Sequence, residues 1–457
     1  MAINQPSMRE KDIAFHFHPF TNPSVHEVDG PQVIERGDGI YLIDSDGKKY
    51  IDGMSSLWCC SLGYSETRLI NAAYQQLHTL PYCHTFRGRS HPNLIDLAEQ
   101  LVKLAPDTMS KIFFANSGSE ANDTAIKIAW RYNNVRGKPY KNKIIARNGG
   151  YHGSTIITAS LSGLPYMHTP FNLPLDGILF TDCPHFYRHA LRGETEEGYS
   201  ERLANNLEQL ILREGADNIA AFIAEPVMGV GGVIIPPETY FEKIQQVLRS
   251  HDILMIADEV ICGFGRTGNM FGSTTFKIEP DIISIAKGLS SAYFPISGVM
   301  ISDDVYDVIV DSDKSEGMFS HGFTYSGHPV GAGIALEALR IYEERDICAH
   351  VCNVGKVFAT RLRQLLSNSI VGEVRNVGLM GGIELVSNKD TKESFPATIQ
   401  AGERVVERAE SYGLFIRCVG SSLVVAPPLI VTETELSDLF DRLEKSIYEI
   451  SNELSIS

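Results

Sequence analysis

Asp258 and Lys287 are two charges in places where a folded chain rarely carries one. Asp258 closes the apolar run Ile253-Leu254-Met255-Ile256-Ala257, and Lys287 closes Ile282-Ile283-Ser284-Ile285-Ala286. Each run has the composition of a strand covered on both faces, where a lone carboxylate or ammonium is costly unless it is paired or functional. Opposite charges at the carboxyl ends of two such strands ask for a ligand between them. A pyridine ring bearing an aldehyde satisfies both: the lysine amine bonds the carbonyl and the aspartate partners the protonated ring nitrogen. On these two residues alone, a plain Asp–Lys ion pair in an α/β core explains the pattern equally well.

Two further strand ends add to the picture. Phe113-Phe114-Ala115-Asn116-Ser117-Gly118-Ser119-Glu120 runs from a strand into a helix expected to start near Ser119. Glycine and serine there expose backbone N–H groups to an anion at the positive end of the helix. No Gly-Lys-Ser/Thr follows and the dinucleotide glycine spacing is absent, so the reading is a single phosphate on neutral donors. The alternative is an ordinary serine cap with a capping glutamate. Gly149-Gly150-Tyr151-His152-Gly153 follows the strand 143–147, and a tyrosine between glycines can lie flat on a planar ring or simply decorate a turn. Open parallel sheets bind ligands at the carboxyl ends of their strands. Four such ends carrying Ser-Gly-Ser, Tyr-His, Asp and Lys complete one site for a ring and a phosphate.

The elements that must position these residues follow from periodicity. Residues 1–30, rich in Pro, His and Asn, read as an irregular arm, and 31–53 as a small meander around Gly37-Asp38-Gly39 and Asp44-Ser45-Asp46-Gly47. From about 66 to 328, helical stretches alternate with candidate strands at 111–115, 143–147, 219–225, 254–260, 282–286 and 298–302. This rhythm implies a mainly parallel sheet with helices on both faces. Residues 332–344 and 356–366 read as amphipathic helices, and 381–386 and 423–426 as strands. The expected division is therefore 1–65 (arm and small-domain strands), 66–328 (large ligand-binding domain) and 329–457 (small α+β domain).

Composition narrows the partners. A net charge of −16, with basic residues scattered along the chain, argues against nucleic acid and anionic membranes. No apolar run has the length of a membrane span, and Met1-Ala2-Ile3-Asn4-Gln5-Pro6 lacks a signal peptide's regions, so a cytoplasmic location is expected. Eight cysteines in 457 residues match neither a disulfide framework nor a zinc ribbon; reduced thiols are expected. His16 and His18 have no evident third ligand nearby and read as structural, so no metal site is expected.

With these motifs assembled, the chain resembles the class III (omega) aminotransferases, pyridoxal 5′-phosphate enzymes of fold type I. The resemblance covers nearly the whole length and rests on NSGSEAND at 116–123, GYHG at 150–153, AEPV at 224–227, DEVICGFGRTG at 258–268, AKG at 286–288 and HGFTYSGHP at 321–329. HPFTNP at 18–23 and SLWC at 56–59 are shared with the amine–pyruvate and omega-amino acid–pyruvate transaminases. The resemblance implies a large domain built on a mainly parallel seven-stranded sheet, a smaller α+β domain, and a homodimer with the site at its interface; pairing of dimers into tetramers stays open. It implies that Lys287 bonds the cofactor covalently and shuttles the proton during transfer, while Asp258 holds the pyridinium. Val260 and Tyr151 would flank the ring, Gly118 and Ser119 would bind the phosphate, and Thr324 would reach the neighbouring subunit's phosphate. Glu225 would brace this polar network.

The resemblance is less directive about substrate. Arg417 matches a mobile arginine that clamps a substrate carboxylate, for which its planar fork is suited. Relatives acting on ornithine or 4-aminobutyrate neutralise that arginine with a glutamate, where this chain has Val230, which favours the amine–pyruvate group. Trp58 and Phe20 match pocket-lining positions. Phe86-Arg87 departs from the two aromatics common in relatives; an Arg87 inside the pocket would favour anionic or polyol-bearing amines. The expected reaction takes an amino group from a primary amine or omega-amino acid to pyruvate. An aminomutase or decarboxylase of the same family, or a catalytically silent binding protein on the same fold, are the alternatives.

Overall fold

A computed structural model describes residues 7–456. A first meander, β1 (Ile34–Asp38), β2 (Tyr41–Asp44) and β3 (Lys49–Asp52), is antiparallel. Next come β4 (Met109–Ala115), β5 (Lys143–Arg147), β6 (Ile178–Thr181), β7 (Ile219–Ala224), β8 (Leu254–Asp258), β9 (Ile282–Ile285) and β10 (Ser297–Ser302). These seven form one sheet in the order β4-β10-β9-β8-β7-β5-β6, and β10 alone runs antiparallel to its neighbours. The last strands are β11 (Val371–Val377), β12 (Met380–Leu385), β13 (Leu414–Phe415), β14 (Arg417–Val419) and β15 (Ser422–Val425).

The alternation of side chains builds the layers. Ile144 and Ala146, Ala221 and Ile223, and Leu254 and Ile256 share one buried cluster with Ala121, Ala125 and Ile128 of the helix Gly118–Val135. Ile145, Phe222, Ala224 and Met255 point to the other face, against Tyr199, Leu203 and Leu207 of Glu196–Glu214 and Phe241 and Ile244 of Tyr240–Ser250. Period-two alternation in strands covered on both sides produces this three-layer core. Among the described residues, no helix is long and apolar enough to cross a membrane.

Most expected strands fall within a residue or two of those observed; β11, β13 and β14 were not anticipated, nor was β6. It is a four-residue edge strand, and Ile178, Leu179 and Phe180 stay partly exposed, so its apolar run is too short to stand out. The arm also differs from expectation. Met8–Phe15 and Pro23–Asp29 are helices, the first started by a Ser7/Glu10 capping box and the second by Asn22 and Pro23. Met1–Pro6 lies outside the described residues.

Segments from the two halves of the sequence meet. β13 pairs in parallel with β3, while β11-β12-β15-β14 form a separate sheet. On that pairing we propose the division 1–65, 66–328 and 329–457. Arg266 ties the parts together: Nη1 donates to the carbonyls of Leu379 (3.2 Å) and Pro427 (2.6 Å), and Nη2 to Ser55 Oγ (2.9 Å). Burial lowers its pKa to about 10. Arg266→Leu strands these buried acceptors and should lower stability by roughly 2–4 kcal/mol, read as a fall in the urea midpoint.

Candidate active site

The carboxyl ends of the central strands converge on a cavity of about 520 Å³. Its lining includes Gly118, Ser119, Tyr151, Glu225, Asp258, Val260, Lys287, Trp58, Phe20 and Arg417. Ten of the expected residues, drawn from distant parts of the chain, thus share one space.

Asp258 closes β8 and is almost fully buried. Its Oδ2 accepts from His152 Nδ1 (2.8 Å) and Asn122 Nδ2 (2.7 Å), and its Oδ1 accepts from the Val260 N–H (3.1 Å). Three donors offset the cost of burying the carboxylate. Among the described residues no ion pair joins Asp258 to Lys287, so the plain ion pair considered above does not form. Lys287 follows β9 with φ of 47°, a left-handed conformation strained for a residue with a Cβ. Burial lowers the pKa of its ammonium, against the partial support of Cys59, Asp258 and Glu225.

Gly118 opens its helix behind the cap Ser117, whose side chain accepts from Glu120 N–H. The serine cap is therefore present at Ser117, and Gly118 and Ser119, the next two residues, face the cavity. A Cβ on Gly118 would sit 2.9 Å from Val260 Cγ1, so glycine keeps that residue close to the helix end. Glu225 accepts from Tyr151 N–H (3.0 Å) and Gly229 N–H (2.9 Å), fixing the loop that carries Tyr151; burial raises its pKa.

The apolar wall depends on a strained turn. Ser55, Ser56 and Trp58 all have positive φ. Asp52 holds this turn, accepting from Met54 N–H (2.9 Å), Ser56 N–H (2.5 Å) and Tyr64 OH (2.5 Å). Trp58 packs against Val230, Val227 and Ile261, and it also faces the cavity. Arg417 lies half-buried on β14, and among the described residues no carboxylate is within ion-pair distance of it. Tyr166 joins the lining near Arg417 and was not singled out from sequence; a lone tyrosine between Pro165 and Met167 carries no motif. His152 and Asn122 sat inside quoted motifs, but their contact with Asp258 needs the fold to be seen.

Thr324, Phe86 and Arg87 do not line this cavity. All three are exposed, and they lie together on another face. Tyr82 OH donates to the Thr324 carbonyl (2.7 Å), Thr85 Oγ1 donates to the Ser326 carbonyl (3.2 Å), and Phe86 packs on Gly322.

A buried acid at one end, a desolvated amine at another, a helix N-terminus and flanking Tyr151 and Val260 fit a planar ring with a phosphate. The cavity is also of the size that holds small ligands. This fold and site define a pyridoxal-phosphate-dependent transferase of fold type I. The chain belongs to the class-III aminotransferases, whose family model matches residues 24–447. It is 52% identical over 410 residues to gamma-aminobutyrate transaminase 1, mitochondrial, of Oryza sativa subsp. japonica, covering 90% of this chain and 80% of that one. It is 50% identical over 410 residues to vanillin aminotransferase of Capsicum annuum, covering 90% and 89%. The omega transaminase from Pseudomonas jessenii in complex with PMP superposes with a TM-score of 0.96 at 49% identity, over 98% of this chain and 99% of that one. The cofactor is pyridoxal 5′-phosphate, as in the family.

Gly118→Ala should push Val260 and the helix end apart. The expected result is faster cofactor loss on dialysis, followed by absorbance, with circular dichroism unchanged.

Proposed function

We propose that this aminotransferase takes an amino group from a primary amine or omega-amino acid and gives it to pyruvate, leaving alanine and an aldehyde or ketone. The observation that carries this reading is Arg417. It is a half-buried cation on the cavity wall with no acidic partner among the described residues, and Val230 stands where a neutralising glutamate would be. A guanidinium in such a place suits a small carboxylate, bound through paired hydrogen bonds.

The bound cofactor supplies a conjugated ring that spreads the negative charge left when the amine carbon loses its proton. The chain's own residues do the rest. Lys287 Nζ, with its charged form disfavoured by burial, serves as nucleophile and as carrier of that proton. Asp258, fixed by His152 and Asn122, keeps a proton on the ring nitrogen. The N–H groups of Gly118 and Ser119 would hold the phosphate, Tyr151 and Val260 would flank the ring, and Glu225 braces the Tyr151 backbone. Trp58, Phe20 and Tyr166 offer an apolar wall to the donor, from which Arg417 swings aside when no carboxylate enters.

The names of the rice and pepper relatives keep 4-aminobutyrate and aryl aldehydes in view as substrates, although Val230 points toward the amine–pyruvate group. We also propose a homodimer. Thr324, Phe86 and Arg87 share a patch with the exposed Tyr82 and Tyr325, a surface of the kind that marks an interface. Thr324 would there reach the neighbouring subunit's phosphate, and Phe86 and Arg87 its substrate. Eight free cysteines suit a reducing compartment, for which we propose the cytoplasm.

Lys287→Ala should abolish both turnover and the visible band of covalently bound cofactor; a normal spectrum would sink the assignment. With a panel of diamines, β-alanine, 4-aminobutyrate and arylalkylamines, pyruvate should be converted to alanine. Formation of glutamate from 2-oxoglutarate without any alanine would overturn the acceptor. Arg417→Leu should lower kcat/KM for pyruvate about 100-fold, or roughly 2.7 kcal/mol. It should leave KM for amines without a carboxylate nearly unchanged.

A further inference from the structure

We propose that the N-terminal arm carries a site for a divalent transition-metal ion of the zinc class, with Asp12, His16 and His18 as ligands. Asp12 and His16 lie one turn apart on and just after the helix Met8–Phe15, and His18 follows two residues on. One ligand atom from each of the three lies within 4.8 Å of the other two. His18 Nε2 is 2.7 Å from Asp12 Oδ1, and His16 Nδ1 is 3.3 Å from Asp12 Oδ2. A tetrahedral ion with bonds of ~2.0–2.1 Å sets its ligands about 3.3 Å apart, so small shifts suffice to admit one.

A fourth group supports this. His26, on the helix Pro23–Asp29, places Nε2 3.0 Å from Asp12 Oδ1, the oxygen that also meets His18, and so helps orient the carboxylate. The rings of His16 and His18 are 3.9 Å apart, and those of His18 and His26 are 4.3 Å apart. Imidazoles with one carboxylate are a common ligand set for zinc. A cavity of about 280 Å³ bordered by His16, His18 and His26 gives the ion a way in.

The site is tied to the substrate cavity by the chain itself. Pro19 and Phe20, directly after His18, line that cavity, and Phe20 does so with φ of 50°. An ion that fixes residues 12–18 fixes the start of this rim.

The test uses holoenzyme freed of adventitious metal and titrated with Zn2+ against a chromophoric chelator. One ion per chain, with Kd of about 1 μM or below, is expected. Asp12→Asn, His16→Gln and His18→Gln should each weaken binding by more than about tenfold, and His26→Gln by about tenfold through loss of carboxylate orientation. Hydrogen exchange of 12–26 should slow on Zn2+ addition. Absence of stoichiometric binding overturns the proposal, as does binding that survives the combined Asp12→Asn, His16→Gln and His18→Gln variant. Retention of the cofactor's absorbance in each variant shows that the fold is intact.

Discussion

The site is organised around a carboxylate withdrawn from water. An ionised acid inside a sheet costs several kcal/mol, and Asp258 is tolerated because His152, Asn122 and the Val260 N–H donate to it. Each donor belongs to a different segment. Asn122 lies one turn into the helix whose first residues are Gly118 and Ser119; His152 follows Tyr151; Val260 belongs to the turn after β8. Asn122 Nδ2 also reaches the His152 carbonyl (2.8 Å), which locks helix and loop to each other. Satisfying one charge therefore sets the relative positions of the helix end at Gly118, the tyrosine loop and the valine.

Lys287 needs a different support. Its left-handed backbone stores on the order of 1–3 kcal/mol, and Ser55, Ser56 and Trp58 add strained positions across the cavity. Strain of this kind persists where the surroundings over-determine it. β9, buried along its length, fixes one side. Asp52 and Arg266 fix the other, with Ser55 Oγ receiving from Arg266 and donating to the Ala426 carbonyl. The buried charges outside the cavity are braces for the charges within it.

This division explains what could be read from the chain. The large sheet was legible because strands covered on both faces are apolar throughout, and a polar residue ending such a run is conspicuous: Asp258 and Lys287 were visible for this reason. β6 escaped because a short edge strand lacks that signature, and the arm helices escaped because they bury none of their own residues and so show no amphipathic period. Asn122, His152 and Tyr166 escaped for another reason. Their part depends on contacts across the fold, such as Asn122 with Asp258, and no local spacing encodes those. Thr324, Phe86 and Arg87 illustrate the same limit in reverse, since a motif match names residues without saying where the fold will put them, and these three lie away from the cavity.

The contrast between floor and rim bears on how one cavity serves two substrates. The floor is made of residues locked by hydrogen bonds and buried among strands. The rim is made of Phe20, Leu57 and Tyr166, all largely exposed, on segments distant from one another in sequence. A transaminase must accept an amine and a keto acid in turn, with the reacting carbon of each at the same place. Fixed groups below and adaptable groups above meet that demand, because the reacting atoms are positioned by the floor and differences in size fall on the rim. Arg417 stands between the two regimes. Its backbone is registered to Val424 through β14 and β15, while its long side chain reaches the cavity wall without an ion-pair partner among the described residues.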